Sequence, residues 1–151
     1  MKLGAASVDA VLAVVYLAKH RMEGIVQGRI IADVLGIPVE SLLKILQQLV
    51  RAEIVGSKRG RRGGFYLQRS AGEISLLSIL QVTEGRMSGN NKFPPHTVEF
   101  AEQALSNLSS TCRNASAESA KVLESTSIRD LMEQDPATAE SLAAIETETV
   151  T

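Results

Sequence analysis

Lys58-Arg59-Gly60-Arg61-Arg62-Gly63-Gly64-Phe65-Tyr66-Leu67 sets four cations among three glycines and follows them at once with an apolar run. Glycine permits positive φ and close backbone approach. Ile54 to Ser57 and Phe65 to Leu67, on either side, are β-prone. The segment therefore reads as a hairpin whose loop is longer than a two-residue turn. Arginine forks at its tip match phosphate oxygens or bases in a minor groove, which makes duplex DNA the expected partner. A phosphate-binding loop of an enzyme would open a helix, whereas Phe65-Tyr66-Leu67 continues as strand.

Working upstream, Gly36-Ile37-Pro38 ends one helical pattern and begins another. Gly36 suits the left-handed residue that closes a helix over Gly28 to Leu35, with Ile31, Ala32 and Leu35 inward, and Pro38 suits the first turn of the next. That third helix, Val39 to Ala52, carries an apolar stripe of Leu42, Leu43, Leu46, Leu49 and Val50. Its opposite face is Glu40, Ser41, Lys44, Gln47, Gln48 and Arg51. In a major groove Lys44 or Arg51 could meet guanine or phosphate, Gln47 or Gln48 adenine, and Ser41 either. Any exposed helix face is polar; this one gains weight from the basic hairpin after it. Further upstream, Ser7 is expected to cap a first helix with Asp9 in its first turn. Val8, Val11, Leu12, Val15, Leu17 and Ala18 should face inward, and the helix should end near His20. Helix, turn, helix and basic hairpin form the order of a winged helix-turn-helix.

Downstream, Ser75 caps a fourth helix, Leu76 to Glu84, that Gly85 closes, and residues 86–96 show no periodicity and read as a flexible loop. A long helical pattern follows. Its positions Val98, Ala101, Leu105, Leu108, Cys112, Ala115, Ser119 and Val122 alternate steps of three and four, the spacing of a helix paired along a narrow seam. Roughly 28 helical residues would span about 40 Å, more than one small domain covers, so a second copy of the chain is the expected partner through residues 97–126. Packing back onto its own domain is the alternative. Ser127 and Asp130 form a capping box for a last helix through Met132, and residues 135–151 read as an acidic, disordered tail.

Charge divides the same way. Residues 1–69 hold eleven Lys and Arg against five Asp and Glu, a net of +6; residues 70–151 hold five against twelve, a net of −7. The first half can approach phosphates and the second is repelled by them. No apolar run reaches the ~18 residues that cross a bilayer, and no signal peptide is legible, so a soluble, cytoplasmic protein is expected. One cysteine cannot form an internal disulfide, which fits a reducing compartment. No nucleophile motif and no paired carboxylates at metal-ligand spacing are present, and an enzyme is not expected.

These elements resemble the bacterial family of winged-helix regulators that contains IscR, NsrR and CymR, often written Rrf2. The matching residues are Ala32 with Gly36-Ile37, Leu42 and Leu49, and Ala52 to Val55. They continue with Arg59-Gly60 and Gly63-Gly64 before an aromatic, Glu73-Ile74 with Leu76, Glu84-Gly85, and Leu123-Glu124-Ser125-Thr126 with Leu131. The likeness covers roughly residues 1–132. It implies a homodimeric transcription factor whose long helices cross and whose two winged domains read a near-palindromic operator. Three departures stand out. Arg61 and Arg62 occupy the wing tip where many members carry Pro-Gly, which should make the wing hold phosphate more strongly and be less rigid. Ala5 to Asp9 replace basic residues and a tyrosine before the first helix's core. Cluster-binding members place three cysteines before and at the start of the long helix, whereas this chain has Cys112 alone.

The expected fold is thus mainly α with a small β-hairpin wing. Residues 1–85 form the winged helix-turn-helix domain, 86–96 a loop, 97–134 the dimerisation helix with a short terminal helix, and 135–151 the tail. The expected function is a homodimeric DNA-binding regulator, of the repressor type; a winged-helix adaptor that binds protein and never DNA is the alternative. Glu40, Ser41, Lys44 and Gln48 are the expected major-groove residues, and Arg51, Lys58, Arg59, Arg61 and Arg62 the expected wing and backbone contacts. One thiolate cannot hold an iron–sulfur cluster, so no cofactor and no metal are expected. Cys112 is most simply a small apolar filler of the seam. Where two antiparallel copies cross near it, the paired thiols could form a disulfide or bind a soft metal. His96, after two prolines, reads as a solvated side chain. The effector is left open among a partner protein, oxidation of Cys112 and a small molecule between the long helix and the winged domain.

Overall fold

A left-handed residue at Gly36 (φ 67°, ψ 28°) ends one helix and turns the chain into the next, and the rest of the fold is arranged around that corner. The computed structural model describes residues 1–90, 93 and 99–133. Among them run α1 (Ala5–Lys19), α2 (Gly28–Leu35), α3 (Val39–Arg51), β1 (Val55–Lys58), β2 (Gly64–Leu67), α4 (Leu76–Glu84), α5 (Glu99–Ser125) and α6 (Ile128–Glu133). Single 3-10 turns at Arg21–Glu23 and Ala71–Glu73 join them. The strands pair antiparallel, Val55 opposite Leu67 and Lys58 opposite Gly64. Among the described residues no helix is long and apolar enough to cross a membrane.

One apolar cluster holds α1 to α3, the hairpin base and α4 together: Ala10, Ala13, Val14 and Leu17 meet Ile31, Leu42, Ile45, Leu46, Leu49, Ile54, Val55, Ile74 and Ile79. Burial of this kind contributes roughly 1.5–3 kcal/mol for each large aliphatic side chain. Ile128 of α6, fully buried, belongs to the same cluster. After the long α5 the chain therefore returns to the winged unit, where the N–H of Ile128 donates to the Ile74 carbonyl (2.9 Å) and the N–H of Leu76 to that of Thr126 (2.8 Å). The expected box at its start is present: the Ser127 N–H donates to Asp130 Oδ2 (2.7 Å) and the Asp130 N–H to Ser127 Oγ (3.2 Å).

Three details differ from the sequence reading. Ser7 does not cap α1, and Asp9 is not in its first turn. The helix begins at Ala5 with Gly4 as the preceding residue, and Ser7 lies fully buried inside it. Its hydroxyl donates to Glu84 Oε1 (2.5 Å), and the same oxygen accepts the Gly4 N–H (2.9 Å), so the helix start is capped by a carboxylate from α4. The buried face of α1 is also rotated. Ala10, Ala13, Val14 and Leu17 point inward while Val8 and Leu12 are 44% and 42% exposed. A nearly all-apolar helix has no polar face to fix its phase, and close packing against α3 and α4 selects the alanines. Pro38 precedes α3 rather than entering it.

The long helix splits the expected seam in two. Ala101, Leu105, Cys112 and Ser119 are half-buried, whereas Leu108 and Val122 are 46% and 65% exposed and Ala115 is exposed with them. Leu123, absent from the expected stripe, is buried, and α5 packs on α4. Val98, His96 and residues 135–151 lie outside the described residues.

Candidate nucleic-acid interface

The amphipathic pattern of α3 decides which side chains face outward. Leu42, Ile45, Leu46 and Leu49 are buried, and Glu40, Ser41, Lys44, Gln47, Gln48 and Arg51 all stand exposed on the far side. Ile45 takes a core position that the sequence stripe left out, and Leu43 and Val50 flank it half-buried. Glu40 sits in the first turn and Arg51 in the last, each where the helix dipole favours its charge.

The wing is pinned at its base and open at its tip. The last ladder pair, Lys58 with Gly64, leaves residues 59–63 as the loop, closed by a Gly63 N–H to Gly60 carbonyl bond of 2.9 Å. A Cβ on Gly63 would collide with the Lys58 carbonyl, so the turn is tight enough to exclude any side chain there. Val26, between α1 and α2, exchanges two bonds with Phe65 (2.9 and 2.8 Å), and Gly64 packs directly on the Val26 carbonyl. The hairpin thus joins a third extended residue and keeps a fixed angle to α2 and α3. Arg61 and Arg62 project from the tip into solvent.

α3 and the wing meet in one groove of about 470 Å³ lined by Gln47, Arg51, Ser57, Lys58, Arg59 and the apolar Phe65. Of the expected contact residues the fold therefore brings Arg51, Lys58 and Arg59 together. Glu40, Ser41, Lys44 and Gln48 continue the same helix face beyond the groove, and Arg61 and Arg62 extend it at the tip. Ser57 is an addition, brought forward by the placement of the hairpin against the last turns of α3, and of the two glutamines read as able to meet adenine it is Gln47 that lines the groove.

Among the described residues Lys121 pairs with Glu118 (2.6 Å) and the His20 ring nitrogen contacts Glu23 (2.9 Å), and neither contact involves α3 or the wing. The cations of this face are left to attract a polyanion. Carboxylates elsewhere are engaged as caps. Hydrogen bonds hold Glu84 below the usual carboxylate range, that from the Ser7 hydroxyl first and that from the Gly4 N–H second. Ser70 does the same for Glu73, and Ser127 for Asp130.

Cys112 lies half-buried on α5, its carbonyl close to Gly89. Among the described residues no three His, Cys, Asp or Glu side chains converge in a way that could hold a metal ion. The donor inventory of the whole chain, one cysteine and two histidines, does not match the four ligands of an iron–sulfur cluster.

Residues 3–134 match the family model described as Rrf2, iron-dependent transcriptional regulator. A Mycobacterium tuberculosis protein named as an HTH-type transcriptional regulator is 30% identical over 131 residues, which cover 87% of this chain and 81% of that protein. Among solved structures, CymR, the global cysteine regulator of B. subtilis, superposes with a TM-score of 0.68 at 25% identity, covering 89% of this chain and 99% of that one. IscR of T. potens gives a TM-score of 0.62 at 26% identity, covering 88% and 87%. The chain is a transcriptional regulator, not an enzyme, and belongs to the Rrf2 family.

Proposed function

We propose that this regulator acts as a homodimer that binds a near-palindromic operator and represses by occupying the promoter. The observation that carries the reading is the single groove where the last turns of α3 and the base of the wing place Gln47, Arg51, Lys58 and Arg59 side by side. A helix face and a cationic ribbon held at a fixed angle suit adjacent grooves of one duplex. Glu40, Ser41, Lys44 and Gln48 enter the major groove, and Arg51, Lys58, Arg59, Arg61 and Arg62 grip the backbone or the flanking minor groove. Half-sites then lie about one helical turn or a small multiple apart. Such a complex forms in the cytoplasm, where the chromosome is.

Support for the dimer comes from α5. Leu108, Ala115 and Val122 recur every seven residues along 27 helical residues and stay exposed on the single chain. A second α5 laid along them would bury the stripe and set the two winged units apart. Residues 1–85 then serve as the reading unit and residues 97–126 as the pairing surface. The regulator works without a resident iron–sulfur cluster, because the chain's cysteine inventory leaves too few ligands.

Selection of bound genomic fragments, followed by titration of the winning duplex over a range of salt, tests the proposal. Affinity should fall steeply with ionic strength, and each lost cation should lower the log–log slope by about one. A chain with no slope on any duplex would be the protein-binding adaptor instead.

A further inference from the structure

Between the wing and the 3-10 turn at Arg21–Glu23 lies a second open groove, about 480 Å³, lined by Arg21, Gly24, Ile25, Ser57, Lys58, Tyr66 and Leu67. Its size falls in the roughly 300–1,000 Å³ range of small-molecule sites, and it has their composition, mostly apolar walls with a few polar groups. The 3-10 turn supplies one wall. The Gly24 N–H donates to the Arg21 carbonyl (3.2 Å), and His20 Nδ1 lies 2.9 Å from Glu23 Oε1. Glu73, whose ionisation Arg21 assists, is already committed to the Ser70 hydroxyl and N–H (2.5 and 3.0 Å). The other wall is set by Gly56. Any Cβ there would overlap the Tyr66 ring, so the phenol lies flat over its cross-strand neighbour in one position. Among the described residues neither Arg21 nor Lys58 has a carboxylate within ion-pair distance.

We propose that this cavity binds a small monoanion with a flat apolar body, an aromatic carboxylate in its simplest form. The ring would rest on Ile25, Leu67 and the Tyr66 face, and the carboxylate would be shared between Arg21 and Lys58. Lys58 also lines the groove facing α3. Occupancy would therefore draw a cation from the proposed DNA face and weaken operator binding. The coupling rests on the DNA-binding reading above; the site itself does not.

The test uses anilinonaphthalene sulfonate as a fluorescent probe and salicylate as competitor on the full chain, without DNA. Saturable binding of one probe per chain is expected, displaced by salicylate. It should weaken about tenfold in the double variant Arg21→Gln with Ile25→Gln. Arg21→Gln alone, at an exposed position, keeps the fold intact and should weaken it measurably. Unchanged probe affinity in both variants overturns the site. With the selected duplex, saturating probe should lower affinity while Arg21→Gln without probe leaves it unaltered. A loss of duplex affinity in that variant would make Arg21 a DNA contact and overturn the proposal, as would a duplex indifferent to saturating probe. Failure of the regulator to bind any duplex is seen separately, because the probe titration contains none.

Discussion

The wing and α5 are both written in spaced small residues, but only the wing finds its partners within the chain. Its glycines meet the Lys58 and Val26 carbonyls, its strands pair in register, and its base bonds to Val26. α5 buries Leu123 against its own fold yet leaves Leu108 and Val122 at 46% and 65% exposure one helix face away. A spacing rule specifies which side chains share a face. It says nothing about whether the same molecule covers that face. Charge sharpens the contrast, since the half that ends in the wing is net positive and the half that holds α5 is net negative.

The largest expected effect tests where the boundary between these regions falls. α6 follows α5 in sequence but packs on α1 and on the Ala71–Glu73 turn, with Ile128 fully buried in the winged core. Ile128→Ala should destabilise the winged unit by about 3 kcal/mol, read as a lowered denaturant midpoint. If the loss is instead confined to α5 and its self-association, α6 belongs with the long helix after all.

That placement also marks the limit of what could be read from residues alone. Bounds of α2 and α4, and those of the wing strands to within one residue, were legible because each is punctuated locally, by Gly36, by Ser75 with Gly85, and by the glycine cluster. The polar face of α3 was legible because a strong 3.6-residue alternation allows only one phase. α1 offered no such alternation, and its true cap, Glu84, lies 80 residues from Gly4. No local signal reaches that far. The groove between α3 and the wing was largely legible: its cations and Gln47 were named from the sequence, but Ser57 joined them through tertiary placement. The second groove beside the wing depends on the 3-10 turn at Arg21–Glu23, which the sequence reading passed over.

The next effect addresses the uncovered face. Leu108→Glu with Val122→Glu puts two carboxylates on the exposed stripe of α5 and should convert the proposed dimer to monomer in sedimentation. Operator affinity should then fall by about 10²-fold, since two linked half-site contacts become one. A variant that stays dimeric moves the interface elsewhere. Smaller still is the wing tip: Arg61→Ala with Arg62→Ala should weaken binding about tenfold on all duplexes alike, and reduce the salt slope by about two. A loss restricted to the selected operator would mean that these arginines read bases.

The smallest effect lies at the end of α4, where the winged unit hands over to the segment that leads to α5. Glu84 accepts from the buried Ser7 hydroxyl and from the Gly4 N–H, and both bonds favour its charged form, so its folded pKa lies below its unfolded value. A depressed carboxylate contributes stability that is complete above the unfolded pKa and disappears as pH falls through the folded one. Glu84→Gln keeps the shape of the protonated acid and removes the charge. Its Tm should therefore lie below that of the parent at neutral pH, and the two curves should converge in acid, below the usual carboxylate range. Because the carboxylate is solvent-exposed, the gap should be smaller than that produced by Ile128→Ala. Curves that run parallel through the acid range would show that Glu84 holds α1 by shape alone, and that its charge contributes nothing to how α4 is tied to α1.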